Sequence, residues 1–192
     1  MGKNEVDHNW FGDLLAKFIP TDLDIEGKTP EEMVKSASWK AFAISTAAAI
    51  PPGFIGYATI LPEIMAVTKV QINLIYSIAK YYGKAATMNT TITTLIFANE
   101  AGITISQDVV KKMGPKLVVR AMGTKALRPI TQRIAVRIGG RITQKLVARW
   151  IPFVLAPLFG AFSKSMTTTI GKYAIKLFQN DIEIEEIMPE QA

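Results

Sequence analysis

The sequence predicts an all-α fold: a single compact bundle of about six or seven helices with two Pro/Gly-broken hydrophobic hairpins. Three observations predict it. Apolar residues recur at helical spacing along most of the chain. Strand-like alternation is confined to Asp181-Ile182-Glu183-Ile184-Glu185. Helix start and stop signals fall between the periodic segments, among them Thr29-Pro30 with Glu32, then Pro62 and Gly83. A chain of 192 residues has the size of one domain, and a domain of this size buries roughly 70% of its unfolded surface without needing staples. The expected division is 1–28 as an N-terminal amphipathic helix and acidic loop, 29–180 as the helical domain and 181–192 as an acidic C-terminal tail.

The first element spans Asp7 to Phe18, where Trp10, Phe11, Leu14, Leu15 and Phe18 share one helical face. That face either docks on the core or acts as a membrane or partner anchor through Trp10, Phe11, Leu14 and Phe18. An acidic loop, Pro20 to Lys28, follows. Thr29, Pro30 and Glu32 form a capping box that starts the second helix, which continues through Trp39 to Ile50 and stops at Pro51-Pro52-Gly53. Pro62 starts a long helix to Tyr82, with Gly83 as its stop. Thr87 to Asn99 is uncharged and rich in threonine; it fits helix or strand, and its helical neighbours favour helix. Ser106 to Met122 reads as helix, with Asp108 in its first turn.

A turn at Gly123-Thr124 and Pro129 leads to the most regular pattern in the chain. Ile130, Ile134, Ile138, Ile142, Leu146 and Trp150 recur every fourth residue, and so do Arg133, Arg137, Arg141, Lys145 and Arg149. On a 3.6-residue helix each series winds slowly as a stripe, and Gly139-Gly140 is a candidate kink. Thr167 to Phe178 forms the last helix, and the tail from Asp181 to Glu190 reads as a solvated end.

Charge is segregated. Lys111 to Asn180 holds 14 Lys/Arg and no acid, whereas the rest of the chain holds 8 basic and all 16 acidic residues. An anionic partner, or neutralisation of one part by the other, would account for such a division. Apolar residues make up 49% of the chain, charged residues 20%, and the mean hydropathy is +0.22. These values lie toward the membrane-associated end of soluble composition.

Two uncharged runs stand out, the 22 residues Ala41 to Pro62 and the 14 residues Trp150 to Ser163. Pro51-Pro52-Gly53 halves the first; Pro152 and Pro157 interrupt the second. Both fit buried core helices, or a hairpin dipping into one leaflet, better than a simple span, with transmembrane insertion as the alternative. Met1 to Asn9 has no apolar signal region, and Val6 stands where a myristoylation motif needs Ser or Thr.

No catalytic chemistry emerges. Cysteine is absent, which excludes disulfides and thiolate sites. His8 is the one histidine and reads as a surface residue. Gly160 to Ser165 ends in Lys-Ser but lacks the preceding glycine of a phosphate-binding loop. No dinucleotide, zinc or calcium motif appears, so no catalytic residue, cofactor or metal is expected. Ala156-x-x-x-Gly160 suits close helix packing. Glu63 is the only charge between Lys40 and Lys69. It is either a buried carboxylate with a raised pKa or an acid placed where the helix dipole favours it; Gln71 is a candidate polar partner. Tyr76, Tyr81 and Tyr82 suit packing.

The basic stripe, Arg133, Arg137, Arg141, Lys145 and Arg149, is the strongest candidate for binding anions or lipid. Like charges at i, i+4 repel by a few tenths of a kcal/mol per pair, while an anionic membrane rewards each by about 1 kcal/mol. Nucleic acid is disfavoured, because no aromatic residue interleaves with the stripe before Trp150. A face solvated or paired in cis remains the plain alternative.

Two stretches carry a family resemblance. One runs from Ser36-Ala-Ser-Trp39-Lys40 through Pro51-Pro52-Gly53 and Leu61-Pro62-Glu63 to Gln71-Ile-Asn-Leu and Ile78-Ala79-Lys80-Tyr81-Tyr82-Gly83. The other runs from Ile151-Pro152-Phe153 through Gly160-Ala161 and Thr169-Ile170-Gly171 to Ala174–Phe178. This layout, over roughly 36–83 and 150–178, resembles the EcsC-like proteins and a related helical domain found after some bacterial GTPase modules. The resemblance implies membrane association and accessory roles near transporters. The chain lacks the GTPase module, so nucleotide chemistry does not transfer, and no catalytic residue carries over.

The expected function is that of a non-enzymatic helical protein, peripheral to the cytoplasmic face of the bacterial inner membrane. Its stripe would bind anionic lipid or an acidic protein partner. The alternatives are a soluble adaptor or inhibitor holding a protein partner, and a small pore-forming or toxin-related protein. A homo-oligomer is compatible with each.

Overall fold

In the computed structural model the described residues are 10–18, 20, 23, 25–48, 60–106, 108–148 and 156–186, with 60–61 and 139–148 described by backbone alone. His8, the Pro51-Pro52-Gly53 break, Arg149 to Pro152 and the tail beyond Glu186 lie outside them. Six helices dominate, but a small three-stranded sheet accompanies them, so the fold is mostly helical rather than strictly all-α.

Helix α1 spans Trp10–Lys17 and buries Phe11 completely, edge-on to Phe97 at 5.0 Å between ring centroids. Helix α2, Pro30–Ala48, begins at the expected capping box. The Thr29 N–H donates to the Glu32 carboxylate at 2.8 Å and the Glu32 N–H donates to the Thr29 hydroxyl at 3.3 Å, satisfying two end groups at once. Those bonds from Thr29, the backbone one first, hold the Glu32 carboxyl below its ordinary range.

Helix α3 spans Ile60–Tyr81. It begins before Pro62, so that ring sits in the first turn, where a missing N–H leaves nothing unsatisfied. Its C-terminus is the expected glycine stop. Gly83 has φ +70, the Lys84 N–H donates to Ala79 C=O at 2.7 Å and the Gly83 N–H donates to Lys80 C=O at 3.0 Å, the Schellman pattern. After a 3₁₀ turn at Ala85–Thr87, helix α4 spans Thr90–Glu100 and is capped by Asn89, whose side chain accepts from the Ile92 N–H at 2.9 Å. Thr91 to Ala98 are all buried, as a helix apolar on every side requires.

The expected helix over Ser106–Met122 is instead a β-hairpin. Strand β1 is Val110–Met113 and strand β2 is Lys116–Arg120, paired antiparallel from Val110↔Val119 to Met113↔Lys116. The reason is local. Gly114 takes φ +61, and Pro115 fixes a negative φ behind it, the sign combination of a type II′ hairpin turn. Valines on both sides favour strand. Strand β3, Asp181–Glu185, then pairs parallel with β2, so the first part of the expected solvated tail is a sheet edge. Its acids face outward while Ile182 and Ile184 pack on the core. Opposite charges meet across this pairing, with Lys116 3.5 Å from Glu183.

Helix α5 spans Thr124–Ala148, starting earlier than expected and carrying Pro129 inside; its backbone runs through Gly139-Gly140. Helix α6 spans Ala156–Phe178 without a break. The second expected hairpin is therefore continuous helix from Ala156 onward, with Pro157 tolerated in the first turn. The bundle has α2, α3 and α6 on one side and α1, α4 and α5 on the other, with α6 touching both groups. Phe11, Ile72, Ile75, Ile78, Phe97, Ile134, Ile170 and Phe178 fill the space between them.

Candidate functional site

Helices α2 and α6 form the most extensive helix pair, and small and hydroxyl-bearing residues make the seam. A Cβ on Gly160 would overlap the Thr46 hydroxyl and the Phe42 ring; one on Gly171 would overlap Val34. Between these glycines, Ser45 bonds Ser163 at 2.6 Å and Ser38 bonds Thr168 at 2.9 Å. From α3, Gln71 donates to Thr167 at 3.1 Å. Gln71 is thus buried in the seam, not paired with Glu63.

These contacts fix the helix directions. Val34 meets Gly171 and Thr46 meets Gly160, so α2 and α6 are antiparallel. Gln71 meets Thr167 and Leu74 meets Gly171, so α3 and α6 are parallel. The C-terminus of α2 and the N-termini of α3 and α6 therefore share one end of the bundle. All described residues of both uncharged runs collect there: Ala41–Ala48, Ile60–Pro62 and Ala156–Ser163. Ala43, Ala47, Pro62, Pro157 and Ala161 are exposed on this pole, and Leu158 is 60% exposed.

Cations border the pole. Aligned by the same contacts, Lys40 on α2, Lys69 on α3 and Lys164 on α6 fall within about one helical turn of each other along the bundle. From Lys164 to the start of α6 the cap, in which Glu63 is the one charge among the described residues, is about 12 Å deep. Trp39 is 50% exposed at this level, with the Lys164 ammonium 3.5 Å from its ring centroid. Glu63 is half-buried in the first turn of α3, at the level of Gly160, where the positive end of the helix dipole favours its charge.

The basic stripe divides. Arg133 and Arg137 are exposed, Arg141 and Lys145 are on the α5 backbone, and Arg149 is outside the described residues. Arg137 has a task within the molecule: it donates to Ala101 C=O at 2.7 Å, covering the C-terminus of α4. A groove of about 680 Å³ beside it is lined by Pro129, Arg133, Val136 and Arg137. Of the anchor candidates, Phe11 and Leu14 are buried in the core, while Trp10 and Phe18 keep part of their surface. Lys69 lies over the Phe18 ring at 5.5 Å.

A second cation group was not legible from spacing alone. Between α2 and α6 lies a groove of about 340 Å³ lined by Lys35, Ser38, Trp39, Lys164, Thr168 and Lys172, with Glu31 and Ile175 toward the end away from the pole. Among the described residues none of these three lysines has a carboxylate within 4.0 Å. Tyr76 and Tyr173 are half-buried, and burial pushes both phenols above the ordinary tyrosine range. No cluster of His, Asp and Glu suited to a metal occurs among the described residues. Within the same residues, no helix is long and apolar enough to cross a membrane.

No family model, curated protein or solved structure matches this chain. The resemblance to EcsC-like proteins rests on the quoted motifs alone.

Proposed function

We propose that the protein attaches to the cytoplasmic face of a bacterial membrane as a non-enzymatic accessory factor. The pole, whose described residues carry the single charge of Glu63, enters the headgroup and acyl boundary, and the bordering lysines meet anionic headgroups. The observation that carries this reading is the shared level of Lys40, Lys69, Lys164 and Trp39 beneath a cap whose described residues include no lysine or arginine. Interfacial helices bury their apolar faces by about 5–10 Å, and a cap of about 12 Å matches that depth rather than the roughly 30 Å of a full hydrocarbon core. Tryptophan and lysine are the residue types that settle at such a boundary. Arg133, Arg141 and Lys145 on α5 add long-range attraction to the same surface. The EcsC-like motifs point the same way.

The test is flotation with vesicles of phosphatidylcholine, with and without phosphatidylglycerol. Leu158→Glu replaces an exposed side chain and leaves the core alone. It should weaken attachment by at least about tenfold, from the lost burial of one leucine. Reversal of Arg133, Arg141 and Lys145 to Glu should weaken attachment only to the anionic vesicles. Unchanged attachment by a folded Leu158→Glu protein would refute the pole.

A further inference from the structure

The groove between α2 and α6 gathers three lysines against one lining acid, Glu31. Lys35 and Trp39 are one turn apart on α2; Lys164, Thr168 and Lys172 occupy successive turns of α6. Because the two helices are antiparallel, Trp39 faces Lys164 at the pole end, and Lys35 lies opposite Thr168 and Lys172 one turn further in. The one acid in the lining, Glu31, lies at the far end.

Proton accounting at the floor shows which groups are left to bind a ligand. The Thr168 hydroxyl donates to Lys164 C=O at 2.8 Å, so its bond to Ser38 is one in which Ser38 donates. Both hydroxyl protons are committed. The remaining donors are three ammonium groups and the indole N–H, all cationic or neutral, so the groove selects an acceptor-rich anion. The Lys164 ammonium is held over the Trp39 ring by the ring quadrupole, so the indole is fixed beside the charges.

We propose that this groove binds the phosphate of an anionic lipid headgroup, with Lys35, Lys164 and Lys172 neutralising it and Trp39 covering the glycerol backbone. The proposal rests on the membrane reading, because the groove opens at the lysine level directly beneath the pole. The lipid lying beside an inserted pole would present its phosphate there. Lysine ammonium groups bind phosphate as point charges, so three of them on flexible stems can gather around one headgroup.

The experiment uses dihexanoyl phosphatidylglycerol as a soluble monomer and inorganic phosphate as the competing source. Tryptophan emission is followed in a protein carrying Trp10→Phe and Trp150→Phe, so that Trp39 alone reports. The short-chain lipid should shift the Trp39 emission saturably. Lys35→Gln and Lys172→Gln, both at exposed positions, should weaken that binding about fivefold for each lysine removed. An unshifted emission, or equal binding by the double Lys→Gln protein, would overturn the groove as a site. Inorganic phosphate binding as tightly as the lipid would overturn lipid as the source. If vesicle flotation persists while the short-chain lipid leaves Trp39 unchanged, the groove falls and the pole stands. If the short-chain lipid binds while no vesicle is floated, the groove is supported and the membrane reading falls.

Discussion

Gly171 is a position where two neighbouring helices specify the residue at once. A methyl group there would overlap the Val34 Cγ2 and approach both the Val34 Cγ1 and the Leu74 Cδ2 at 3.1 Å. Ordinary carbon contacts lie near 3.5–4.0 Å, so the new atom is pressed from α2 and α3 together. Val34 is buried and its χ1 has essentially one helical well, so it cannot turn aside. Gly171→Ala must therefore move a helix, at about 1–3 kcal/mol for overpacking. Alanine returns about 1 kcal/mol through helix propensity. The net expectation is a loss of about 0–2 kcal/mol, read as a lower urea midpoint at unchanged slope, or a Tm lowered by up to roughly 8 °C.

The valine gives the control. In a Val34→Ala background the overlap is gone, so Gly171→Ala should become neutral or stabilising by about 1 kcal/mol. The double-mutant cycle should then show a coupling of about 1–3 kcal/mol. Equal effects of Gly171→Ala in both backgrounds would refute the close approach, and so would a stability gain in the unaltered protein.

Other expectations follow from single contacts. Thr29→Ala removes the N-cap of α2 and should lower stability by about 1 kcal/mol in chemical denaturation. Lys84→Met removes an ammonium that donates to Phe178 C=O at 2.9 Å and to Asn180 C=O, with Asp181 3.8 Å away. It should reduce stability by about 1.5–3 kcal/mol and loosen β3, read by amide exchange of Ile182 and Ile184. Tyr76 and Tyr173 titrate above the usual value of 10.0 because burial disfavours phenolate. A raised folded pKa means the folded state holds the proton more tightly. Their contribution is thus complete below pH 10.0 and is lost as pH rises through the folded values. Denaturation across that range should show the fall, and Tyr76→Phe with Tyr173→Phe should flatten it.

Where structure is set by neighbours in sequence, the chain was readable. Thr29-Pro30-x-Glu32 and Gly83 mark helix ends through bonds made within a turn, and of the segment Thr87 to Asn99, for which helix is favoured, the part from Thr90 onward lies in α4. The Val-rich segments around Gly114-Pro115 were misread because the helical frame was extended across them; the Gly-Pro pair was the available signal. The pairing of β2 with β3 brings together distant segments whose charges complement each other, which no local pattern displays. The same limit applies to the site. The four-residue basic period was visible, but the diversion of Arg137 to the end of α4 was not. Trp39 and Lys164 meet only because α2 and α6 align antiparallel, and that alignment depends on glycines whose spacing alone does not name their partner.

The seam also bears on how the pole would meet lipid. A helix pair joined by leucines is held largely by exclusion of water, and acyl chains can replace that partner. α2 and α6 are joined instead by close backbone approach at Gly160 and Gly171 and by the bonds Ser45–Ser163 and Ser38–Thr168. Dispersion and hydrogen bonds do not need water as the outer solvent, and small residues are what hold helices together within membranes. Separating this pair in hydrocarbon would leave the hydroxyls and Gln71 without partners, each at a penalty of a few kcal/mol. The bundle should therefore stay closed while its pole is immersed. Dye-loaded anionic vesicles should bind the protein without leaking; leakage at saturating occupancy would mean that the seam opens, and would replace peripheral docking with pore formation.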